Sequence, residues 1–349
     1  MLLGVSDPEV RRPGLVRPVR VDPAGVTGPT RKQARGRRFR RTSQGFYVPS
    51  EVDGSWPEQR ILEASAVLPR FGGVTGWAAL RWAGGAWFGG TTSGGTQPLP
   101  VTLATGYADV LSQPGIQVSQ EGLGPAELIV LDGLRLTEHV RSLLFEMRYA
   151  TSDREAVIHL DMAAYSDLVS LDEITAYALL HPGWTGIPRA RKALALADEN
   201  SWSPQETRMR LIWVLDAGLP PPLCNAPVFD RDGRHVGTPD LLDPEAGVVG
   251  EYDGALHLAG DQRVRDRRRE EAFRGLGLEH FTMMSGDTRA AMVDRMLATR
   301  GRARFLPEAT RPWRLEPPAW WLPTYTVAQR RALEASQRAV WLRTRLRAG

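Results

Sequence analysis

The chain has 349 residues and a formal net charge of only +4, from 44 basic and 40 acidic side chains. Apolar residues make up 42% and charged residues 24%, which is typical of a soluble globular protein and excludes a wholly disordered chain. The single cysteine, Cys224, excludes an internal disulfide framework and a zinc site built from several cysteines, and it favours a reducing, cytoplasmic environment.

Basic charge is concentrated at the two ends of the chain. Residues 1–41 and residues 300–349 each carry a net charge of +8, so residues 42–299 carry −12. Basic ends on an acidic body are typical of proteins that contact nucleic acid. Neutralisation of the acidic middle by the protein's own ends explains the same pattern, and the charges alone favour neither interpretation.

Residues 1–49 are predicted to be a basic arm rich in proline and glycine, with one strand near residues 45–48. The densest run, residues 31–41, has seven cations and no acid. Contacts of such an arm with phosphates add salt-dependent affinity, but they do not read a base sequence. The phosphate contacts are predicted for Arg37, Arg38, Arg40 and Arg41.

Residues 50–200 are predicted to form an α+β domain that is mainly helical at its end. Helices are predicted at 57–68, 75–82, 138–149, 153–165, 171–180 and 188–198, and strands at 101–105, 116–119 and 128–131. Residues 84–95 are rich in glycine and predict a loop. The central Arg81 argues against a membrane span at residues 71–90, and the first residues predict no secretory signal.

Residues 201–300 are predicted to follow the order α-β-β-β-α-β-α. Ser203 and Glu206 have the spacing of a capping box, so a helix is predicted from there to about residue 217. The remaining strands are predicted at 226–229, 235–242, 248–253 and 278–283, and the helices at 261–275 and 288–299.

The hairpin that ends at residue 253 carries the residues most suited to catalysis. A turn at residues 245–246 pairs residues whose numbers sum to 491, so it places Asp240 opposite Glu251, with Cβ atoms about 4.5–5.5 Å apart. Strand alternation places Asp253 on the face of Glu251. Like charges this close need protons or a cation, and carboxylate oxygens suit Mg²⁺ or Mn²⁺. A plain turn at residues 251–254 is the alternative.

His257 and Glu206 complete the predicted site. The near-neutral pKa of histidine suits His257 to proton transfer, and Glu206 on the preceding helix would supply a further carboxylate to the metal. His280, like the other histidines, is isolated in the sequence and predicts no role. Phosphate contacts are predicted for three residues of the following helix, Arg263, Arg265 and Arg269. Pairing with acidic residues of the same helix is the alternative.

Residues 301–349 are predicted to be a basic tail that ends in a helix at 327–346. Trp313, Trp320 and Trp321 lie among prolines and are expected to hold the tail on the rest of the protein. The final helix has too few apolar residues for a membrane anchor.

Together, these residues resemble the PD-(D/E)XK nuclease superfamily, in particular its very-short-patch-repair (Vsr-like) branch. The resemblance covers residues 203–300 and rests on Glu206, Pro239-Asp240, Glu251-x-Asp253-Gly254, His257 and Asp266-x-x-Arg269. It implies an α/β restriction-endonuclease-like (αβββαβ) domain, Mg²⁺ held by Asp240 and Glu251, hydrolysis assisted by His257, and a cut DNA strand as the product.

One position departs from the superfamily. The lysine expected two residues after Glu251 is replaced by Asp253, although the Vsr-like branch also lacks that lysine. A catalytically inactive DNA-binding or antitoxin-like module is therefore the alternative to a DNA endonuclease of repair or defence. Residues 40–49 also resemble the end of a β element in AbiEi-type antitoxin proteins, which implies an unknown toxin–antitoxin or defence partner.

Overall fold

A computed structural model describes residues 11–92, 95–254 and 260–348. For residues 260–267 and 344–348 it describes the backbone only. The chain divides into two compact units. The first contains residues 11–150 and 173–190, and the second contains residues 151–172 and 191–348. The expected domain limits near residues 50, 200 and 300 do not coincide with this division.

The described residues form a mixed α and β structure, as the sequence predicted. The helices are α1 (Arg31–Ala34), α2 (Pro57–Ser65), α3 (Trp77–Trp82), α4 (His139–Tyr149), α5 (Asp153–Tyr165), α6 (Leu171–Leu180), α7 (Ile187–Leu194), α8 (Pro204–Leu211), α9 (Gly260–Gly275), α10 (Arg289–Arg302), α11 (Val327–Arg331) and α12 (Ala335–Ala348). A π-helical turn (Ile212–Asp216) follows α8, and 3₁₀ turns lie at Pro125–Glu127 and Glu308–Thr310.

Among the described residues, four small sheets contain the strands. The strands are β1 (Val19–Arg20), β2 (Phe39–Ser43), β3 (Phe46–Pro49), β4 (Gly73–Thr75), β5 (Val101–Ala104), β6 (Ile116–Ser119), β7 (Leu128–Leu131), β8 (Leu134–Thr137), β9 (Leu223–Cys224), β10 (Val228–Asp230), β11 (His235–Gly237), β12 (Leu241–Asp243), β13 (Val248–Asp253), β14 (Glu279–Met284) and β15 (Trp313–Arg314). The strand orders are β1-β3-β2 and β6-β5-β4-β8-β7 in the first unit, and β11-β10-β15 and β14-β13-β12-β9 in the second.

The basic segment at residues 11–49 is folded, so the prediction of an extended arm is wrong for these residues. Its strands form a three-stranded sheet, in which Gly45 takes the left-handed conformation (φ +80°) that a tight turn between β2 and β3 requires. A capping box of Thr30 and Gln33 begins α1. The cations of residues 31–41 therefore lie on α1, on β2 and on the short connection between them.

The predicted strand at 235–242 is divided in two. β11 ends at Gly237 and β12 begins at Leu241, because Pro239 lies between them and lacks the N–H that a continuous strand would donate. The two strands belong to different sheets. Residues 238–240 therefore connect the two sheets, and Asp240 immediately precedes β12.

The sheet β14-β13-β12-β9 forms the centre of the second unit. β12 pairs with β13 in the predicted register, with Leu241 opposite Gly250 and Asp243 opposite Val248. β13 pairs with β14 in parallel, and α9 is the crossover between them. Both faces of the sheet are buried: Trp213, Phe281 and Met292 belong to one apolar cluster, and Leu242, Val249, Phe273 and Trp313 to the other.

The C-terminal residues belong to this unit as well. β15 pairs with β10, and Trp313 is buried against the second apolar cluster, which agrees with the expected role of the tail tryptophans. The predicted final helix is divided into α11 and α12. Within the described residues, no helix has the length and apolar character needed to cross a membrane.

Gly250 is required where β13 passes the ring of Phe281. An added Cβ at Gly250 would lie 2.2 Å from Cζ of Phe281, which is too close for any packed structure. We therefore expect Gly250→Ala to lower the free energy of unfolding by about 1–3 kcal/mol, the usual cost of overpacking. Chemical denaturation measures this loss.

A matched control for this substitution lies in α10. An added Cβ at Gly301 would meet no atom within 4 Å, so Gly301→Ala should leave stability unchanged or raise it slightly. Equal effects of the two substitutions would contradict the packing argument.

Candidate active site

The hairpin brings two carboxylates together. Asp240 immediately precedes β12, and the register of β12 with β13 places it across from Glu251. The backbone N–H of Tyr252 donates a 2.7 Å hydrogen bond to Oδ2 of Asp240, across the hairpin. The juxtaposition predicted from the turn position is therefore present in the structure.

The surroundings of Asp240 disfavour its negative charge. Burial raises the pKa of Asp240 well above its usual range, and the nearby charges of Glu206 and Glu251 raise it further. The N–H of Tyr252 and the charge of Arg269 oppose this shift without cancelling it. A proton or a cation would relieve the repulsion among these carboxylates.

Glu206 is held in place by the start of α8. Ser203 caps the helix, since its Oγ accepts the N–H of Glu206, and the Glu206 side chain is only 8% exposed. Oε2 of Glu206 accepts hydrogen bonds from the N–H of Trp202 (2.8 Å) and from Nδ2 of Asn225 (2.7 Å). The carboxylate is therefore fixed beside Asp240.

Asn225 links the two acidic residues, and sequence reasoning missed it. Its side chain donates to Glu206, while its backbone N–H donates to the carbonyl oxygen of Asp240 at 3.1 Å. Asn225 has a φ of +44°, a left-handed conformation that asparagine tolerates better than most residues. Nothing in the local pattern indicated this role, because the two partners are 19 residues before it and 15 after it along the chain.

Glu251 contacts two basic side chains. Nε of Arg269 lies 2.9 Å from Oε1 of Glu251, and Nε2 of His280 lies 3.3 Å from Oε2. Nδ1 of His280 lies 3.5 Å from Oε1 of Glu270, so the imidazole bridges β13 and α9. His280 looked isolated in the sequence, but the parallel pairing of β13 and β14 places it beside Glu251.

Arg269 occupies a different position from the one predicted. It was expected to contact a phosphate, but its guanidinium forms an ion pair inside the carboxylate group. An ion pair within α9 joins Arg274 to Glu270, 2.6 Å apart, but Arg274 is not one of the arginines for which such a pairing was the alternative. A phosphate contact at Arg269 would require the ion pair with Glu251 to open.

Four other predicted residues are placed only in part. Asp253 is half-buried at the end of β13, two residues beyond Glu251 on the same strand face. His257 lies outside the described residues. Arg263 and Arg265 lie on α9, but their side chains are outside the described part of the chain.

The predicted phosphate contacts of the first unit also differ in placement. Arg37, Arg38 and Arg41 are exposed on and just before β2. Arg40 instead forms a bidentate ion pair with Glu63, which raises the pKa of its guanidinium. Arg40 is thus a structural residue of the first unit, because its charge is already neutralised by a neighbouring carboxylate.

The carboxylate oxygens of the site are ligand atoms of the type that a divalent cation prefers. Carboxylate oxygens are the preferred ligands of Mg²⁺ and Mn²⁺, and the negative charges of Glu206 and Glu251 beside Asp240 would attract a cation. Within the described residues, however, no group of three acidic, histidine or cysteine side chains has the arrangement of a metal site.

Comparison with known proteins found no matching family, no matching curated protein and no matching solved structure. The candidate site therefore depends on the residues and contacts described above.

Proposed function

We propose that this protein is a metal-dependent DNA endonuclease that hydrolyses a phosphodiester bond in DNA repair or defence. The observation that carries the proposal is the pairing of Asp240 with Glu251 beside Glu206, where burial, and then repulsion from the two glutamates, raises the pKa of Asp240. Like charges directly opposite each other destabilise a hairpin. Groups of this kind are concentrated at functional sites, where the chemistry needs their negative charge.

The strand connections support the proposal. A helix (α8), three antiparallel strands (β9, β12 and β13), a crossover helix (α9) and a parallel strand (β14) follow in the order α-β-β-β-α-β. The resemblance to PD-(D/E)XK nucleases implies the same order. β10 and β11 are additional to it, since they form a separate sheet with β15.

Asp240 and Glu251 would hold the cation, and Glu206 would add negative charge beside them. When bound, Mg²⁺ or Mn²⁺ would polarise a phosphoryl oxygen and lower the pKa of a water molecule. Asn225 and His280 would orient the carboxylates through the contacts described above. Asp253 and His257 would assist as an auxiliary carboxylate and a proton-transfer group.

A catalytically inactive DNA-binding module is the second candidate. The ion pair of Arg269 with Glu251 favours it, because an arginine already neutralises one of the carboxylates. The exposed cations of Arg37, Arg38 and Arg41 would serve either function. Metal dependence separates the two candidates, since binding to phosphates alone needs no divalent cation.

The deciding experiment is a cleavage assay with the full-length protein. Supercoiled and mismatch-containing DNA would be incubated with Mg²⁺ or Mn²⁺ and the wild type, the Asp240→Ala/Glu251→Ala variant or the control Asp232→Ala. Asp232 is 75% exposed on a turn, so its loss should leave cleavage unchanged. Cleavage by the wild type and the control alone would support the endonuclease.

Two outcomes would contradict the proposal. If no protein cuts DNA but all three bind it with the same salt dependence, the inactive binding module is correct. If the double variant cuts as fast as the wild type, the site has been placed wrongly.

A further inference from the structure

Four aromatic rings form a cluster beside the sheet β11-β10-β15. We call Phe229, His235, Trp320 and Trp321 the aromatic platform. The ring centroids of Phe229 and Trp321 lie 5.1 Å apart and nearly perpendicular, and those of His235 and Trp321 lie 5.0 Å apart. Trp320 stands 5.6 Å from Trp321 and 6.2 Å from Phe229. Each ring is therefore supported by at least one other.

The outer part of the platform is open. Phe229 is fully buried, whereas Trp320 is 63% exposed. A tryptophan this exposed is unusual, because its large apolar surface gains free energy when it is covered. Since its neighbours already fix the ring, little conformational entropy is lost when a flat ligand stacks on it.

Two arginines lie near the turn that precedes β11, in the sheet beside the aromatic platform. Arg234 immediately precedes β11 and is 80% exposed. Arg314 lies beneath the same turn, where an added Cβ at Gly233 would come within 2.7 Å of its guanidinium. A flat aromatic surface beside cations suits a nucleobase with its phosphate, because every base has a face that stacks on an aromatic ring.

The platform is close to the candidate active site. Asp240 follows His235 by only five positions in the chain, so their Cα atoms are at most about 18 Å apart. Between them, an added Cβ at Gly237 would lie 3.2 Å from Cγ of Arg269, whose guanidinium contacts Glu251. A distance of about 18 Å corresponds to roughly five nucleotides of a stacked strand.

We propose that the aromatic platform binds an unpaired nucleobase of DNA, in a strand whose backbone passes Asp240 and Glu251. The inference rests on the proposed DNA-binding function and names the substrate class: DNA with a bulged, flipped or single-stranded nucleotide within a few nucleotides of the reacting phosphate. A perfect duplex keeps its bases stacked inside the helix, so it offers no face to Trp320.

The test measures binding without cleavage. Full-length Glu251→Gln protein would be mixed with a duplex that carries a single bulged 2-aminopurine, whose fluorescence is quenched when it stacks on an indole ring. Trp320→Ala in this background should weaken binding to the bulged duplex by about 5- to 150-fold, the range for one base–aromatic stack. It should also abolish the quenching and leave binding to the perfect duplex unchanged.

Two variants control for structural damage. Trp320→Phe keeps an aromatic face and should retain most of the affinity and the quenching. Trp56→Ala removes a tryptophan that is 55% exposed in the first unit, and it should change neither.

The outcomes separate the two proposals. If Trp320→Ala weakens both duplexes equally, or weakens neither, the inference is wrong, even if the wild type cuts DNA. If Trp320→Ala instead changes the oligomeric state with no effect on DNA, the platform binds protein and the inference is also wrong. If the wild type cuts nothing but the bulge-specific loss is seen, the inference stands and only the endonuclease proposal fails.

Discussion

Replacing Asp240 with asparagine is expected to abolish metal-dependent cleavage and, at the same time, to stabilise the metal-free protein. Cleavage should fall by at least about 100-fold, the scale found when a group that stabilises the transition-state charge is removed. Stability should rise because the amide removes one of the charges that repel Glu206 and Glu251. Its oxygen can still accept the N–H of Tyr252, and its NH₂ can donate to the carboxylates.

The gain in stability should depend on pH with a definite sign. The pKa of Asp240 is raised in the folded protein, so the wild type loses stability as pH rises from the unfolded pKa of about 3.9 through the folded pKa. The advantage of Asp240→Asn should therefore be absent at low pH and grow towards neutral pH, by about 1.4 kcal/mol for each unit by which the pKa is raised. Mg²⁺ or Mn²⁺ should reduce the difference in the free energy of unfolding between Asp240→Asn and the wild type, since only the wild type would bind the cation tightly.

Urea denaturation at several pH values, with and without metal, measures this difference. Asp243→Asn is a matched control in the same hairpin. The Asp243 carboxylate accepts hydrogen bonds from Nε of Arg300 and from the backbone N–H groups of Glu245 and Ala246. Its loss should destabilise the protein, in the opposite direction to Asp240→Asn. Destabilisation by both substitutions would show that Asp240 serves the fold rather than a metal site.

The largest loss of stability is expected from Asp161→Ala. Asp161 on α5 is fully buried and forms a 2.5 Å ion pair with Arg210 of α8. Its carboxylate also accepts hydrogen bonds from Thr207 and from the N–H of Asp198. Removal of the carboxylate would leave the Arg210 guanidinium buried without its main partner, at a cost of about 3–5 kcal/mol.

The same change should weaken the candidate site. Glu206 precedes Thr207 on α8, so a loosened helix would no longer fix the carboxylate beside Asp240. Urea denaturation measures the stability. The control is Lys192→Met, which breaks the exposed pair with Asp153 and should change stability by no more than about 1 kcal/mol. A loss below about 1 kcal/mol for Asp161→Ala would contradict the assigned role.

Local patterns were sufficient for most elements near the site. The spacing of Ser203 and Glu206 predicted the start of α8, and Ser203 is its cap. The capping box itself is incomplete, because the Glu206 carboxylate accepts the N–H of Trp202 and not that of Ser203. The turn at residues 245–246 predicted the register of the hairpin, and β12 and β13 pair in that register. Pairings within about ten residues of each other depend on interactions that the local sequence contains.

Contacts over longer separations escaped prediction. Residues 11–49 were expected to be an extended arm because they are rich in proline, glycine and arginine, yet they pair as a small sheet. Arg40 was assigned to phosphate, but Glu63 neutralises it. The partner of β1 in that sheet is β3, which is more than 20 residues further along the chain, and Glu63 is 23 residues from Arg40, so composition carries no information about either partner.

The sequence by itself determined that Asp240 and Glu251 face each other, since the position of the turn at residues 245–246 sets the register of the hairpin. The tertiary structure alone decided what surrounds them. Asn225 joins Glu206 to Asp240, and His280 reaches Glu251. His280 does so because a crossover helix makes β13 and β14 parallel neighbours, and a pairing between strands separated by a whole helix depends on packing that no local pattern specifies.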